Sequence, residues 1–300
     1  MPGPDLGALL PADQRPLQLC RRHGLRWRRE HSFRAEPGCG LLSNRYVLGI
    51  AQETISLDTW HALLTDLRLP LPERSAGGAA SGSLRDELTA RFQQASTVYL
   101  GFEQGVSGGN LRLYFEDWEA ITRRLRQTPA PEIATWQTGE PPLWPMGVGY
   151  KWASAGGGRL RHTRYGVRPL LEGARIRTRA AGALQPPGWS QGGAAAGAVL
   201  RLLERILASD AAVAPVFLEV DEPGTPRRSF DLCVHRYGLR IEDLNAELQQ
   251  LLDALLGPSA CLRSALQGRS PQALVTHLSA GTSHHGMPYA CLYYTLPDES

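Results

Sequence analysis

The chain has 300 residues, of which 42% are apolar and 20% charged, with a formal net charge of +3 at pH 7. This apolar content can bury a large core, and barrel proteins often reach this length as one unit, so we expect a single domain over residues 1–300. The small net charge, with no basic stripe along the chain, argues against nucleic acid as a partner.

The cysteines and the lengths of the apolar runs indicate in which compartment the protein is expected. Five cysteines with no CxxC pair and no histidine partner at zinc spacing indicate free thiols in a reducing compartment. No apolar run reaches membrane-spanning length, and residues 1–14 lack a signal-peptide pattern. We therefore expect a cytoplasmic monomer that does not bind a membrane. Lys151 is the only lysine, which indicates a position where a compact ammonium fits and a guanidinium fork does not.

The first third of the chain predicts one strand pair and two helices. Residues 1–20 are proline-rich and predict an ordered arm or short helix. Strands are predicted over 24–35 and 42–52, joined by a turn rich in glycine and proline. Apolar spacing then predicts a helix over 56–69 and another over 83–95, the second with Ser83 as its N-cap.

Two further strand pairs follow. Strands over 97–104 and 110–116 flank the glycine-rich turn 105–109. The helix predicted next, over 117–127, opens with Asp117 and ends in arginines, the charge order that the helix dipole favours. The third pair is 146–153 with 159–166, across the glycine-rich turn 154–158.

The rest of the chain repeats the same order of strands and helices. The remaining predicted helices are 168–182, 193–208, 241–256 and 259–266, and the remaining strand pairs are 215–221 with 229–236 and 273–280 with 288–296.

Most of these strands alternate apolar residues with Arg, Tyr, Asp or His. A strand with one apolar and one polar face separates two environments. Five such hairpins supply ten strands, enough to close a barrel with a polar lumen and helices outside. The predicted fold is thus α/β of the α+β type, a ten-stranded antiparallel barrel surrounded by a ring of helices, which leaves no exposed sheet edge.

The polar positions of the strands define the predicted lumen. They include Arg45, Tyr99, Glu103, Arg112, Tyr114, Glu116, Lys151, Arg161, Tyr165, Glu219, Asp221, Asp231, Cys233, His235, His277, Cys291 and Tyr293. Burying one unpaired charge costs several kcal/mol, so this set needs a water-filled cavity, mutual pairing or a charged ligand. A self-neutralising network of the basic and acidic side chains is the structural alternative to a ligand site.

The strand sequences resemble those of the ABBA prenyltransferases, and most closely those of the cyanobactin-type peptide prenyltransferases. The segment 42–48, an arginine followed by an aromatic and aliphatic residues, is similar to the first hairpin of that family. Phe102-Glu103, a glycine-rich turn and Leu111-Arg112-Leu113-Tyr114 are similar to its acidic residue, turn and basic strand. The late hairpin of the chain likewise ends in paired tyrosines, Tyr293-Tyr294.

This resemblance implies transfer of an isoprenyl group, dimethylallyl or geranyl, from its diphosphate to a side chain of a ribosomal or cyclic peptide. It implies that the leaving diphosphate is bound by Arg45, Arg112, Lys151 and Arg161. It implies a Mg²⁺ ion on the diphosphate oxygens, with no protein ligand identified for it.

The same resemblance suggests roles for the remaining lumen residues. Tyr114, Tyr165 and Tyr293 would shield the allylic cation and stabilise it through their ring faces, or alternatively only fill the lumen. Glu103 would take the proton from the nucleophile, or alternatively pair with Arg112.

The fourth and fifth hairpins depart from the family pattern, which repeats Arg/Lys-x-Tyr. They carry Asp231-x-Cys233 and Cys291-x-Tyr293 instead. We therefore expect Asp231 and His235 on an acceptor side of the lumen, opposite an anion-binding side. Two other functions stay open: a barrel that carries an anionic or aromatic ligand without chemistry, and an ABBA enzyme that prenylates a small aromatic molecule.

Overall fold

The strands predicted from the sequence pair as hairpins in the computed structural model of the chain, which describes residues 14–67, 83–105, 108–153, 160–185, 189, 193–210 and 214–297. The predicted turn 154–158 lies outside these residues, and the predicted turn 105–109 lies partly outside them. The hairpins are β1 (Arg28–Glu36) with β2 (Gly40–Ala51), β3 (Thr97–Gly105) with β4 (Gly108–Glu116), β5 (Trp144–Ala153) with β6 (Arg161–Arg168), β7 (Val216–Asp221) with β8 (Arg228–Cys233), and β9 (Leu274–Thr282) with β10 (Pro288–Thr295).

The ten strands form one closed antiparallel barrel in which each strand pairs with its neighbours along the chain. The first and last strands close it, with His31 of β1 opposite Tyr294 of β10. All hairpin turns therefore lie at one end of the barrel, called here the turn end, and the connections between hairpins leave from the other, the helix end. The predicted fold is confirmed.

Helices cover the outside of the barrel. They are α1 (Arg15–Arg22), α2 (Leu57–Leu67), α3 (Leu84–Gln94), α4 (Trp118–Gln127), α5 (Ala130–Thr138), α6 (Gly173–Ala183), α7 (Gly193–Ser209), α8 (Asn245–Leu256) and α9 (Leu262–Leu266).

Most of these helices confirm the predictions, with four differences, one of which is that the helix predicted over 259–266 begins only at Leu262. The helix α5 was not predicted, because Pro129 and Pro131 are read as breakers although proline is tolerated in a first helical turn. The helix predicted over 168–182 begins only at Gly173. The helix predicted over 241–256 starts as a 3₁₀ turn at Ile241–Leu244. Within the described residues, no helix is long and apolar enough to cross a membrane.

The core lies between the barrel and the helices. The outward faces of the strands carry fully buried residues such as Val98, Leu113 and Phe230. They pack against helix faces on which apolar residues recur every three or four positions, as Leu248, Leu251, Leu252 and Leu255 do in α8. Because the apolar faces of the strands are used in this outer layer, their polar faces meet inside the barrel.

Helix starts are fixed by capping. The Ser83 hydroxyl accepts from the Asp86 backbone N–H, and the Asp86 carboxylate accepts from the Ser83 backbone N–H, forming a capping box at the start of α3. The Asp117 carboxylate accepts a hydrogen bond of 2.8 Å from the Ala120 N–H at the start of α4. Both predicted starts are confirmed.

Candidate active site

Three cations converge on one carboxylate near the turn end of the lumen. Glu103 accepts from Arg45 through Nε at 3.1 Å and Nη2 at 3.0 Å, and from Lys151 Nζ at 2.5 Å. Arg112 is its third partner. The strand register explains the meeting, since Arg45 lies opposite Glu103 and Arg112 lies opposite Lys151. The predicted alternative that Glu103 pairs with Arg112 is therefore confirmed as a contact, with two more cations added.

Two arginines that the sequence reading left out of the site extend this cluster. Arg34 on β1 pairs with Glu36 at 2.5 Å, and its guanidinium carbon lies 3.9 Å from the ring centre of Tyr289. Arg227, in the turn before β8, lies 3.6 Å from Glu222 and donates to the Thr163 hydroxyl at 3.3 Å. Arg34 could have been predicted as a lumen residue, because it lies two residues after Ser32 on β1 and both side chains point to the inner side of the strand. Arg227 follows a proline in a turn and gives no periodic signal.

Arg161 completes the cluster, 4.0 Å from the carboxylate of Glu222. Six cationic side chains of the described residues thus face three carboxylates at this end of the lumen: Arg34, Arg45, Arg112, Lys151, Arg161 and Arg227 against Glu36, Glu103 and Glu222. The self-neutralising network is therefore formed only in part, and positive charge is left over.

Two further features accompany this excess of positive charge. The buried Nε atoms of Arg34, Arg112 and Arg227 have no hydrogen-bond partner in the structure. Burial, and then the charges of the neighbouring arginines, hold the pKa of Lys151 well below its ordinary value even though Glu103 is in contact with it. A polyanion bound here would satisfy the free donors and raise the pKa of Lys151.

A cavity lies below the cations, toward the helix end; we call it the acceptor cavity. It is lined by Glu30, Val47, Tyr99, Tyr114, Glu116, Tyr165, Leu218, Asp231, His277 and Tyr293. The three tyrosines predicted to shield a cation therefore share one space. The rings of Tyr114 and Tyr165 meet edge to face at 5.9 Å, and the Arg45 guanidinium lies 5.9 Å from the Tyr293 ring centre.

The tyrosines link the two parts of the lumen. Arg112 donates to the Tyr114 hydroxyl at 2.8 Å, so the cation cluster begins where the aromatic wall ends. Gly149 lies opposite Tyr114 on the next strand, and a Cβ there would come 2.5 Å from the Tyr114 ring. The glycine therefore lets the ring lie flat against the barrel wall.

Acidic side chains and histidine line the side of the cavity formed by β8 and β9. Asp231 faces His277, with Oδ1 2.7 Å from Nδ1. Cys233 is opposite His277 in the register. Burial opposes ionisation of the Cys233 thiol, but His277 and His235 outweigh it and lower the pKa to about 6. The same thiolate and Asp231 hold the pKa of His277 well above its ordinary value despite burial.

His235 and the acidic residues of β7 do not lie in the lumen, contrary to the prediction. The strand β8 ends at Cys233, and His235 stands exposed in a 3₁₀ turn, with Nδ1 3.0 Å from the Cys233 sulfur. Glu219 points outward to Arg168 and Arg179, and Asp221 pairs with Arg164 on the surface. The side chains of β7 that point into the barrel are apolar instead, and one of them, Leu218, lines the cavity.

Comparison with known proteins supports the fold. No protein-family profile matches the chain, and no curated protein is detectably similar in sequence. Among solved structures, NotF in complex with brevianamide F and DMSPP matches with a TM-score of 0.51 at 16% identity, over 89% of this chain and 79% of that one. The 5-dimethylallyltryptophan synthase of Streptomyces coelicolor matches with a TM-score of 0.51 at 14% identity, over 98% of this chain and 94% of that one. These likenesses establish the ABBA barrel fold for this chain.

Proposed function

We propose that the chain transfers an isoprenyl group from a prenyl diphosphate to an aromatic acceptor inside the barrel. One observation carries the proposal: a buried excess of positive charge with free donors adjoins a cavity walled by tyrosines. A diphosphate matches the first feature and an allylic chain the second. The solved structures of the same fold support it, since one holds DMSPP and another is a dimethylallyltryptophan synthase.

The donor would bind with its diphosphate among Arg45, Arg112, Lys151 and Arg161, which were predicted for this role, joined by Arg34 and Arg227. As the C1–O bond ionises, negative charge grows on the diphosphate, and preplaced charged donors stabilise that change more than the ground state. Glu103 sets the spacing of three of these cations.

The isoprenyl chain would extend from the cations into the acceptor cavity. There the rings of Tyr114, Tyr165 and Tyr293 would face the allylic cation and keep water from it. Asp231, predicted for the acceptor side, lines the same cavity and orients His277. The proton-accepting role of Glu103 stays a prediction, and it requires that an incoming diphosphate draw the cations away from this carboxylate.

A small aromatic molecule is the acceptor that we favour. NotF is complexed with brevianamide F, and the cavity is walled by tyrosine rings against which a flat aromatic molecule can stack. A peptide acceptor is the second candidate, supported by the likeness of residues 42–48 to the cyanobactin-type peptide prenyltransferases.

The magnesium ion implied by that likeness is less well matched by the residues present. The side chains at the proposed diphosphate site are mostly guanidinium and ammonium groups, which repel a divalent cation. In the part of the chain that the structure describes, no group of three or more His, Cys, Asp or Glu side chains is arranged to hold a metal. A magnesium ion held by the protein therefore does not fit, and turnover in EDTA against turnover in Mg²⁺ decides whether the donor brings one.

The test of the proposal is turnover with dimethylallyl and geranyl diphosphates against tryptophan, a tryptophan-containing cyclic dipeptide and longer peptides. Products are identified by mass spectrometry, and inorganic pyrophosphate binding is measured by calorimetry. We expect a prenylated product and pyrophosphate binding, both reduced in Arg112→Met. Binding without a product supports the non-catalytic carrier instead. Absence of both refutes the proposal.

A further inference from the structure

Cys233 ends strand β8 at the helix end of the barrel, away from the cations that face the turn end. The residue is only partly buried, so a small electrophile can reach its sulfur. His277 is its cross-strand neighbour, and the two side chains form a hydrogen bond. His235, in the turn that follows β8, places Nδ1 3.0 Å from the same sulfur. One thiol is therefore held between two imidazole rings.

Asp231 fixes the ring of His277. Its Oδ1 lies 2.7 Å from Nδ1 of that ring, which leaves Nε2 as the nitrogen free to exchange a proton with a reacting group. The nearest Glu30 oxygen is 3.9 Å from Nε2, beyond hydrogen-bond distance. Cys233, His277 and Asp231 thus supply a nucleophile, a base and a carboxylate that orients the base, the set that covalent catalysis by a thiol requires.

The local charges favour the reactive form of the thiol. Burial opposes ionisation of Cys233, but His277 and His235 lower its pKa to about 6, so the thiolate is present at neutral pH. Burial also lowers the pKa of His277, but Cys233 and Asp231 raise it to well above the ordinary value, so this imidazolium holds a proton for a leaving group. The other titratable groups around the pair are Glu30 on β1, Tyr99 on β3, Glu116 on β4 and Arg236 in the turn after β8.

We propose that Cys233 is a catalytic nucleophile for acyl groups, with His277 as its acid and base and Asp231 as the residue that positions His277. The substrate class is an ester or thioester with an apolar or aromatic acyl group, because Asp231 and His277 lie on the wall of the cavity that the tyrosines also line. This activity is separate from prenyl transfer, since it uses the helix end of the lumen and needs no diphosphate.

The reaction balances with these groups. The thiolate attacks the carbonyl carbon, a C–S bond forms, and the carbonyl π electrons move to the oxygen. His235, with Nδ1 3.0 Å from the sulfur, lies where it can donate a hydrogen bond to this oxyanion. The bond to the leaving alcohol or thiol then breaks, and that group departs with the electron pair and the His277 proton. Water attacks the acyl-enzyme and gives a proton to His277, and the C–S bond breaks to release the acid and restore the thiolate.

The test uses the full-length chain with p-nitrophenyl acetate as the probe. We expect a burst of nitrophenolate equal to the protein concentration, followed by steady turnover. Cys233→Ala should reduce the rate to that of the ester in buffer, and His277→Gln should reduce kcat at least about 100-fold. The rate should rise as the pH increases through about 6, where the thiolate forms. Asp231→Asn should move this midpoint to higher pH, because His277 loses a carboxylate that stabilises its charge.

Cys261→Ala is the matched control and keeps full turnover. Cys261 is an exposed thiol whose sulfur lies 3.0 Å from the Ser264 hydroxyl in place of an imidazole, and this contact lowers its pKa too. In the folded Cys261→Ala protein, alkylation of Cys233 by iodoacetamide must also abolish turnover, so the result does not depend on whether Cys233→Ala folds.

Turnover that survives the loss or alkylation of Cys233 refutes the proposal. So does a wild type that shows no hydrolysis, or one in which mass spectrometry finds a single stable acetyl group on Cys233 without further turnover. A failure of prenyl transfer does not affect these outcomes, because neither the ester nor Cys233 takes part in it.

Discussion

Replacing Lys151 by methionine is expected to stabilise the ligand-free protein and to weaken diphosphate binding. Lys151 lies among arginines that oppose its charge, and its anionic contact within the described residues, Glu103, is shared with Arg45 and Arg112. Methionine is also unbranched and of similar length, so it can fill the same space. The carboxylate keeps two of its cations in the variant.

The gain in the free energy of unfolding follows from the cost of burying this charge. Replacing a whole buried ion pair or triad by apolar groups of similar volume is neutral or stabilising by about 1–4 kcal/mol, whereas removing one partner destabilises when the other charge is left unpaired. Here Glu103 keeps Arg45 and Arg112, so no charge is left unpaired and we expect a gain toward the lower end of that range. The gain depends on pH, because the folded protein binds the Lys151 proton more weakly than the unfolded chain does. Wild-type stability therefore rises with pH from the lowered pKa toward the ordinary value of 10.5, and the advantage of the variant shrinks over that window.

Pyrophosphate binding should weaken in the same variant, although its stability without ligand increases. A hydrogen bond to a charged group contributes about 1.5–3 kcal/mol, and each 1.4 kcal/mol is a factor of ten in affinity. Loss of the ammonium group should weaken inorganic pyrophosphate about 10- to 100-fold. Because the bound anion raises the pKa of Lys151, binding to the wild type should also take up a proton at pH values between the pKa of the free protein and that of the complex.

Three measurements check this prediction. Urea unfolding compares stability without ligand, and calorimetry in two buffers of different ionisation enthalpy reports affinity and proton uptake. Because the chain has a single lysine, ¹⁵N-lysine labelling gives one side-chain signal whose titration reports its pKa. Arg164→Met, which breaks an exposed pair with Asp221, is the control and changes each quantity little. A less stable Lys151→Met variant with unchanged pyrophosphate affinity would refute the reasoning.

Three other changes have distinct expected results. Gly149→Ala displaces the Tyr114 ring, and we expect product to fall while donor hydrolysis rises, measured as the ratio of the two by chromatography. Alkylation of Cys233 by iodoacetamide should reach half its maximal rate near the thiol pKa of about 6, and His277→Gln should shift this midpoint to higher pH, followed by mass spectrometry. Arg227→Met should weaken pyrophosphate about 10-fold or more by calorimetry, because it removes a charged donor from the site.

Each of these predictions has a control within the chain. Gly182→Ala, where an added Cβ meets nothing within 4 Å, should leave the product ratio unchanged. Cys39, whose pKa is raised by burial and by Glu36, should react only at higher pH. An unchanged product ratio in Gly149→Ala, alkylation of Cys233 with a midpoint near that of Cys39, or normal pyrophosphate affinity in Arg227→Met would each contradict its prediction.

The barrel was predictable because its signal is repeated in every hairpin. Alternation such as Val98, Leu100 and Phe102 against Tyr99 and Glu103 marks two faces, and glycine-rich turns mark the pairing. The order of hairpins and helices then leaves few ways to bury the apolar face. The helix α5 escaped prediction because its first turn contains proline, and proline at that position is compatible with a helix.

Part of the candidate site was predictable, because Arg45, Arg112 and Lys151 each stand at a polar position of a strand that alternates polar and apolar residues. The same rule misplaced Glu219 and Asp221, because a strand of six residues with acidic residues on one face does not say which face is inside. Those carboxylates pair instead with arginines outside the lumen. His235 was misplaced because the predicted strand ran to residue 236, three residues beyond its observed end at Cys233.

Alternation along each strand determined a barrel with an apolar outer face and a charged lumen, because a local period of two needs no knowledge of distant residues. The partners inside the lumen depended on register across strands far apart in sequence. Register placed three cations on Glu103 and brought Arg34 and Arg227 beside them. Proton affinity and charge balance depend on distance and burial, and these exist only once the barrel has closed.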